Sequence, residues 1–192
     1  MYSMMNLMKN LREMFYIMST WNIDVSHTNL GFTIRHMMVS KVRGNFTDFE
    51  GKIEGDPEDL ATSKVSFKVD MNSINTNSED RDNHLRSPDF FETEKYPAMT
   101  FNSTKIVKTS EDEFDLIGDL TIKDVTKEVT FKTEYEGKAT NPWGQPVVGF
   151  TVEGEVDRKE FGLTWNQALE TGGFMVGDKI KIVIELEANP EA

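Results

Sequence analysis

Apolar and polar residues alternate along most of this chain, and no other feature constrains its fold as strongly. Within Ser63–Met71, the residues Val65, Phe67 and Val69 fall on one side of the chain and the polar residues fall on the other. This period of two is typical of a β-strand with one buried and one solvated face. Because the pattern recurs from Trp21 onwards, the sequence predicts an all-β protein of about eight or nine strands.

Short turns separate most of these predicted strands, and this spacing favours a closed barrel. The apolar faces need cover and the strand edges need hydrogen-bonding partners, which a closed sheet supplies. Sequential hairpins favour an up-and-down antiparallel barrel over a Greek-key sandwich. We therefore predict one barrel domain over residues 20–189, with about eight strands and room inside for side chains or one ligand.

The first 19 residues differ from the rest of the chain. They hold six of the eleven methionines, and their charged residues follow the first apolar ones instead of preceding them. A secretory signal peptide has the opposite order and a small-residue cleavage site. We predict that residues 1–19 form an appendage that is flexible or weakly helical. Two alternatives stay open: an upstream extension of a reading frame that starts at Met18, and a membrane-surface anchor.

Composition narrows the functional classes. The chain has 33 acidic and 21 basic residues, a net charge of −12, and no cysteine. Such a surface repels phosphate backbones, so we expect no nucleic-acid partner. No window approaches the run of about 20 apolar residues that a spanning helix needs, so we expect no integral membrane segment. The absence of cysteine excludes disulfides and thiol catalysis and fits a reducing compartment, and we predict a cytoplasmic location.

One long segment, Asn72–Phe101, interrupts the alternation. Its Thr76–Glu79 matches a capping box, which predicts the start of a helix there. Asp82 and Arg86 are spaced to pair along that helix, and Ser87–Pro88 reads as the start of a second one. The sequence therefore predicts a short helical insertion that lies as a flap over an open end of the barrel.

The polar residues of this insertion do not form a familiar catalytic pattern. Arg81, Asp82 and His84 could supply acid–base chemistry, but Asp82 and His84 are two residues apart and point to different sides of a helix. The three histidines, which include His27 and His36, have no metal-binding spacing. His36 lies on an apolar strand face, where a hydrogen-bonded core imidazole or a ligand contact is expected. We predict no metal site and no cofactor.

Several short motifs follow one another in a fixed order along the chain. They are Trp21-Asn-Ile-Asp24, His36-Met-Met-Val-Ser40, Arg81-Asp-Asn-His84-Leu85, Asp89-Phe90-Phe91, Tyr96-Pro97, Gly118-Asp-Leu120-Thr121-Ile122 and Asp157-Arg158-Lys159-Glu160-Phe161-Gly162. With these motifs, the chain resembles the YceI-like family of lipid-binding proteins from about Met18 to Ala188. The resemblance implies a lipocalin-like antiparallel barrel whose interior holds a long isoprenoid chain. It also implies a homodimer.

We accordingly predict a non-catalytic carrier that holds a long isoprenoid lipid or an isoprenoid quinone in the barrel cavity. The alternative is an enzyme that acts on an isoprenoid or a related small amphiphile. Inward apolar side chains are expected to line the cavity, and Arg81 and His84 to meet a quinone oxygen or a diphosphate. The predicted ligand-binding residues are Phe32, Ile34, His36, Met38, Phe67, Val69, Arg81, His84, Phe90, Phe91, Phe101, Leu116, Phe131, Phe150, Ile182 and Ile184.

Overall fold

The computed structural model describes residues 4–6, 8 and 19–191. Most of the predicted appendage therefore lies outside the described residues. Residues 4–6 and 8 have helical backbone and exposed side chains. No helix in the described ranges is both long enough and apolar enough to cross a membrane.

The described residues form eleven strands and an eight-residue helix, α1 (Glu79–Arg86). Short 3₁₀ turns lie at Val25–His27, Leu60–Thr62, Met71–Ser73 and Arg158–Phe161. The strands are β1 (Thr20–Ile23), β2 (Asn29–His36), β3 (Ser40–Phe46), β4 (Phe49–Glu54), β5 (Lys64–Asp70), β6 (Ile74–Asn75), β7 (Ala98–Lys108), β8 (Glu113–Ile122), β9 (Val125–Thr140), β10 (Pro146–Asp157) and β11 (Val176–Pro190).

Eight of these strands close into an antiparallel barrel, in the order β1-β4-β5-β7-β8-β9-β10-β11 and back to β1. The closure depends on β1, where Trp21 lies opposite Ile53 of β4 on one side and Pro190 of β11 on the other. A closed ring leaves no unpaired strand edge. The predicted all-β, eight-stranded barrel with a short helical insertion is confirmed.

The remaining strands extend the barrel wall at one end. Beyond β1, the edge of β11 pairs with β2, which pairs with β3, which in turn pairs with β6. We call this the upper end of the barrel. It carries the β2–β3 turn and the flap, defined as residues 76–97, which includes α1. The lower end carries β1 and the β9–β10 turn around Trp143.

Alternation along the strands places the apolar side chains inside. In β8, Phe114, Leu116, Gly118 and Leu120 are all buried, while the residues that alternate with them are not. A glycine makes room for one large ring of this interior. A Cβ on Gly154 would clash with Cδ1 of Phe131, so only glycine lets this ring lie against β10.

The local pairing inside the flap differs from the sequence prediction. The N-cap of α1 is Ser78, and Thr76 instead donates from its backbone N and its Oγ1 to the carboxylate of Asp82, at 2.9 and 2.5 Å. Asp82 is buried, so its charge needs these donors, and it does not pair with Arg86. Ser87 begins a series of turns, so the predicted second helix is wrong.

Candidate functional site

A cavity of about 450 Å³ opens at the upper end, between the barrel interior and the flap. Strand residues of β2, β3, β7, β8, β10 and β11 form its walls, and α1 covers one side. Apolar side chains dominate this lining. The polar and charged residues among them are Arg35, His36, Ser78, Asp80, Arg81, His84 and Arg158.

A second, smaller cavity of about 90 Å³ continues the first one into the barrel. Both cavities share Met99, Leu120 and Ile182, which therefore form the neck between them. Leu60, in the β4–β5 connection, is buried and lines the smaller cavity towards the lower end. The interior is thus a tapering apolar space with its wide end at the flap.

The predicted inward residues divide between these two cavities. The upper cavity contains Phe32, Ile34, His36, Arg81, His84, Phe90, Phe91 and Ile182. The lower cavity contains Phe67, Val69, Phe101, Leu116, Phe131, Phe150 and Ile184, with Ile182 shared.

Met38 is the exception, and the prediction that it faces inward is wrong. Alternation ends at His36, because residues 37–39 form the turn between β2 and β3. Met38 has a φ of 62° and is 63% exposed. The prediction was wrong because residues 37–39 are all apolar and lack the residues that normally mark a turn.

Three rings form a cluster at the mouth of the upper cavity. The imidazole of His84 lies edge-on to Phe90, with centroids 5.1 Å apart, and edge-on to Trp165, with centroids 4.8 Å apart. Phe90 and Trp165 are themselves 5.2 Å apart. His84 Nε2 lies 2.8 Å from Asp89 Oδ2, which fixes the ring. Trp165 could not be predicted from the sequence, since it lies in an irregular segment without periodicity.

Arg81 holds the start of the flap. Its Nε donates to Thr76 Oγ1 and its Nη2 to the Thr76 carbonyl, both at 2.7 Å. Thr76 is also hydrogen-bonded to Asp82, so this one threonine, the first residue of the flap, is bound to two charged side chains of α1. Arg81 also lines the upper cavity, so it combines a structural role with a position at the polar rim.

Arg158 is a buried cation that sequence reasoning did not single out as a site residue. It is 2% exposed and lines the upper cavity. Its Nε donates to the Gly177 carbonyl at 2.7 Å, and its Nη1 donates to the carbonyls of Leu163 and Trp165. These bonds fix the segment that carries Trp165. Burial lowers the pKa of Arg158, and the nearby Asp178 opposes that effect.

A separate cluster of polar side chains lies at the connection between β1 and β2, beside β11. Ligand-type atoms of Asp24, His27 and Glu187 all lie within 4.8 Å of one another, and this is the one such group in the part of the chain that the structure describes. Hydrogen bonds from Ser26 and His27 lower the pKa of Asp24 to about 2, and Asp24 raises that of His27. None of these residues lines either cavity.

Comparisons with known proteins agree with this geometry. The profile of the YceI-like domain matches residues 21–188. A UPF0312 protein of Staphylococcus epidermidis is 44% identical over 171 residues, covering 88% of this chain and 97% of the relative. The crystal structure of a Campylobacter jejuni YceI protein is similar with a TM-score of 0.71 and 36% identity, covering 88% of this chain and 96% of that one.

A more distant structure shares the fold. A polyisoprenoid binding domain from Saccharophagus degradans, implicated in plant cell wall breakdown, has a TM-score of 0.66 at 14% identity. The likeness covers 89% of this chain and 98% of that domain.

Proposed function

The chain belongs to the family of YceI-like domains, and from that premise we propose that it is a carrier that binds an isoprenoid lipid or isoprenoid quinone inside its barrel. The proposal makes it a binding protein without catalytic activity. We further propose the homodimer that the family resemblance implies, which light scattering would test.

The observation that carries the proposal is the shape and chemistry of the interior. A wide apolar cavity of about 450 Å³ narrows through the neck at Met99, Leu120 and Ile182 into a second one of about 90 Å³. Charged groups line only the upper cavity, among them Arg81 and His84. A ligand with a long apolar chain and one small polar end fits this distribution.

Such burial gives enough free energy for binding without a charged contact. Each methylene removed from water contributes about 0.8 kcal/mol, part of which is offset by the ordering of the chain. The likeness to the Saccharophagus degradans domain supports an apolar chain as ligand only through the shared fold.

One observation favours a second candidate, an enzyme acting on the same kind of ligand. His84 is hydrogen-bonded to Asp89 at 2.8 Å and lines the upper cavity, an arrangement that orients a general base. An enzyme would lose turnover on His84→Ala, whereas a carrier would keep most of its affinity, because the apolar walls remain.

The experiment is organic extraction of the purified protein, followed by mass spectrometry and by titration with a polyprenyl alcohol. We expect a prenyl lipid or quinone in the extract and saturable binding. Ile182→Trp should fill the neck and weaken binding of long chains, by roughly fourfold for each methylene kept out. Val183→Trp is the matched control, since Val183 is the adjacent β11 residue and lines neither cavity. Absence of binding to the wild type, or equal binding by both variants, would refute the proposal.

A further inference from the structure

The β2–β3 turn exposes apolar side chains beside the cavity mouth. Met37 is 43% exposed, Met38 63% and Val39 88%, and Phe174 on a neighbouring loop is 58% exposed. We call these four residues the apical patch. Large apolar residues exposed together on a soluble surface mark an interaction site more often than single ones do.

The turn and the loop form one surface. The backbone N of Met37 donates to the carbonyl of Met175 at 2.7 Å, and Sδ of Met38 lies so close to Gly173 that a Cβ there would clash with it. Met175 and His36, on either side of this junction, line the upper cavity. The apical patch is therefore continuous with the mouth of the cavity.

The hairpin that carries the patch is cationic in an acidic protein. Residues 31–47 contain Arg35, Lys41 and Arg43 but no Asp or Glu, against a net charge of −12 for the chain. These three side chains are exposed, and within residues 19–191 none of them takes part in an ion pair. The neighbouring loop adds one acid, Glu170.

The pairing of β2 with β3 gathers this charge on the outer face. Arg35 lies directly opposite Lys41; both are exposed, and Arg35 also contributes to the lining at the cavity mouth. Like charges directly opposite each other destabilise a sheet. An anionic partner on the outside would remove that cost.

The β2–β3 turn places bulky methionines in a backbone conformation that disfavours them. Met37 and Met38 have φ values of 51° and 62°, and the Val39 N donates to the His36 carbonyl at 3.3 Å. A turn with two positive φ values favours Asn-Gly, whereas bulky residues are strained there. Folding alone would favour small polar residues at both positions, so the methionines point to a contact outside the fold.

We propose that the apical patch docks on the surface of an anionic lipid bilayer. The apolar turn would lie at the boundary between headgroups and acyl chains, and the three cations would face the lipid phosphates. Docking in this orientation brings the mouth of the cavity to the bilayer. This interaction goes beyond the proposed carrier function, because it concerns the outer surface and needs no ligand.

Flotation with lipid vesicles tests the charge part of the proposal. Wild-type protein should float with vesicles of equal parts phosphatidylcholine and phosphatidylglycerol, and far less with phosphatidylcholine alone. Lys41→Gln/Arg43→Gln should weaken partition about 25-fold, at roughly fivefold for each charge. Lys64→Gln/Lys105→Gln is the matched control, with the same change of net charge at exposed strand positions remote from the patch. It should float as the wild type does.

A turn variant tests the apolar part and keeps the fold. Met37→Asn/Met38→Gly relieves the backbone strain, so it should melt at a higher temperature and yet float more weakly. Trp143→Ser is its control, because Trp143 is 83% exposed in the turn at the lower end and should not matter.

Two results would overturn the proposal: equal flotation with both vesicle types, or hairpin variants that float as well as the wild type. A protein that yields a prenyl lipid on extraction but does not float retains the carrier function and loses the docking. A protein that floats with anionic vesicles but yields no prenyl lipid and binds none retains the docking and loses the carrier function.

Discussion

Replacing Arg158 should loosen the upper end of the barrel. This side chain is 2% exposed and ties the Leu163–Trp165 segment to Gly177 at the start of β11. Arg158→Met keeps most of the apolar stem and removes four hydrogen bonds, the fourth being the one that Nη2 donates to the Val176 carbonyl at 3.4 Å.

The magnitude follows from these contacts. A hydrogen bond to a charged group contributes about 1.5–3 kcal/mol, but the variant also avoids the cost of burying the guanidinium. Asp178 Oδ1 lies 3.6 Å from Nη2 of Arg158, and the side chain of Asp178 is 42% exposed. In the variant, this carboxylate stays accessible to water and keeps its contact with Lys159. We therefore expect a net loss of about 3–5 kcal/mol in the free energy of unfolding. Arg158→Lys keeps the charge but lacks the planar guanidinium group. Its loss in the free energy of unfolding should therefore lie between zero and that of Arg158→Met.

Urea denaturation measures this loss, and hydrogen exchange locates it in residues 163–177. Lys159→Met is the control, since Lys159 contacts the same Asp178 at 2.9 Å on the surface. Exposed ion pairs contribute about 0–1 kcal/mol, so the control should stay within that range. The reasoning fails if Arg158→Met costs less than about 1 kcal/mol or no more than the control.

Three further changes test other parts of the structure. Asp24→Asn should lower stability by about 2 kcal/mol at neutral pH, because the pKa of Asp24 falls from 3.8 to about 2 on folding. That contribution is present above about pH 4 and is lost as the pH falls through 2, so denaturation of both proteins should converge there. Asp82→Ala should cost about 2–4 kcal/mol by urea denaturation, because both donors of Thr76 lose their buried acceptor; an unchanged midpoint would contradict this. Met37→Asn/Met38→Gly should raise stability by about 1–2 kcal/mol, and calorimetry showing a loss would exclude backbone strain in the turn.

The barrel could be predicted from sequence because its signal is local. Each strand shows its buried face by alternation, so Phe101, Phe131 and Phe150 were all correctly predicted to face the interior. Closure also follows, because so many half-buried strands need partners. The same reasoning failed at Met38, where the turn lacks the Asn or Gly that normally marks a reversal.

The mouth of the cavity could not be predicted, because its contacts join distant segments. Trp165 meets His84 across the barrel end, and Arg158 reaches Gly177, which is 19 residues away. At the flap, the local capping pattern at Thr76 was outweighed by the buried carboxylate of Asp82, six residues on. None of these contacts leaves a periodic trace in the sequence.

The upper end of the barrel is open because β11 pairs there with β2, which lies outside the closed ring. At the lower end, β1 pairs with both β4 and β11, and Leu60 fills the space inside. At the upper end, β11 pairs with β2 instead, and the wall continues into β3 and β6 without meeting β5. The flap covers the gap that this leaves. The β2–β3 hairpin therefore has two faces with separate roles: Ile34 and Val42 line the cavity, while Lys41 and Arg43 are exposed on the outside. One deviation from the ring thus accounts both for access to the interior and for the cationic surface beside it.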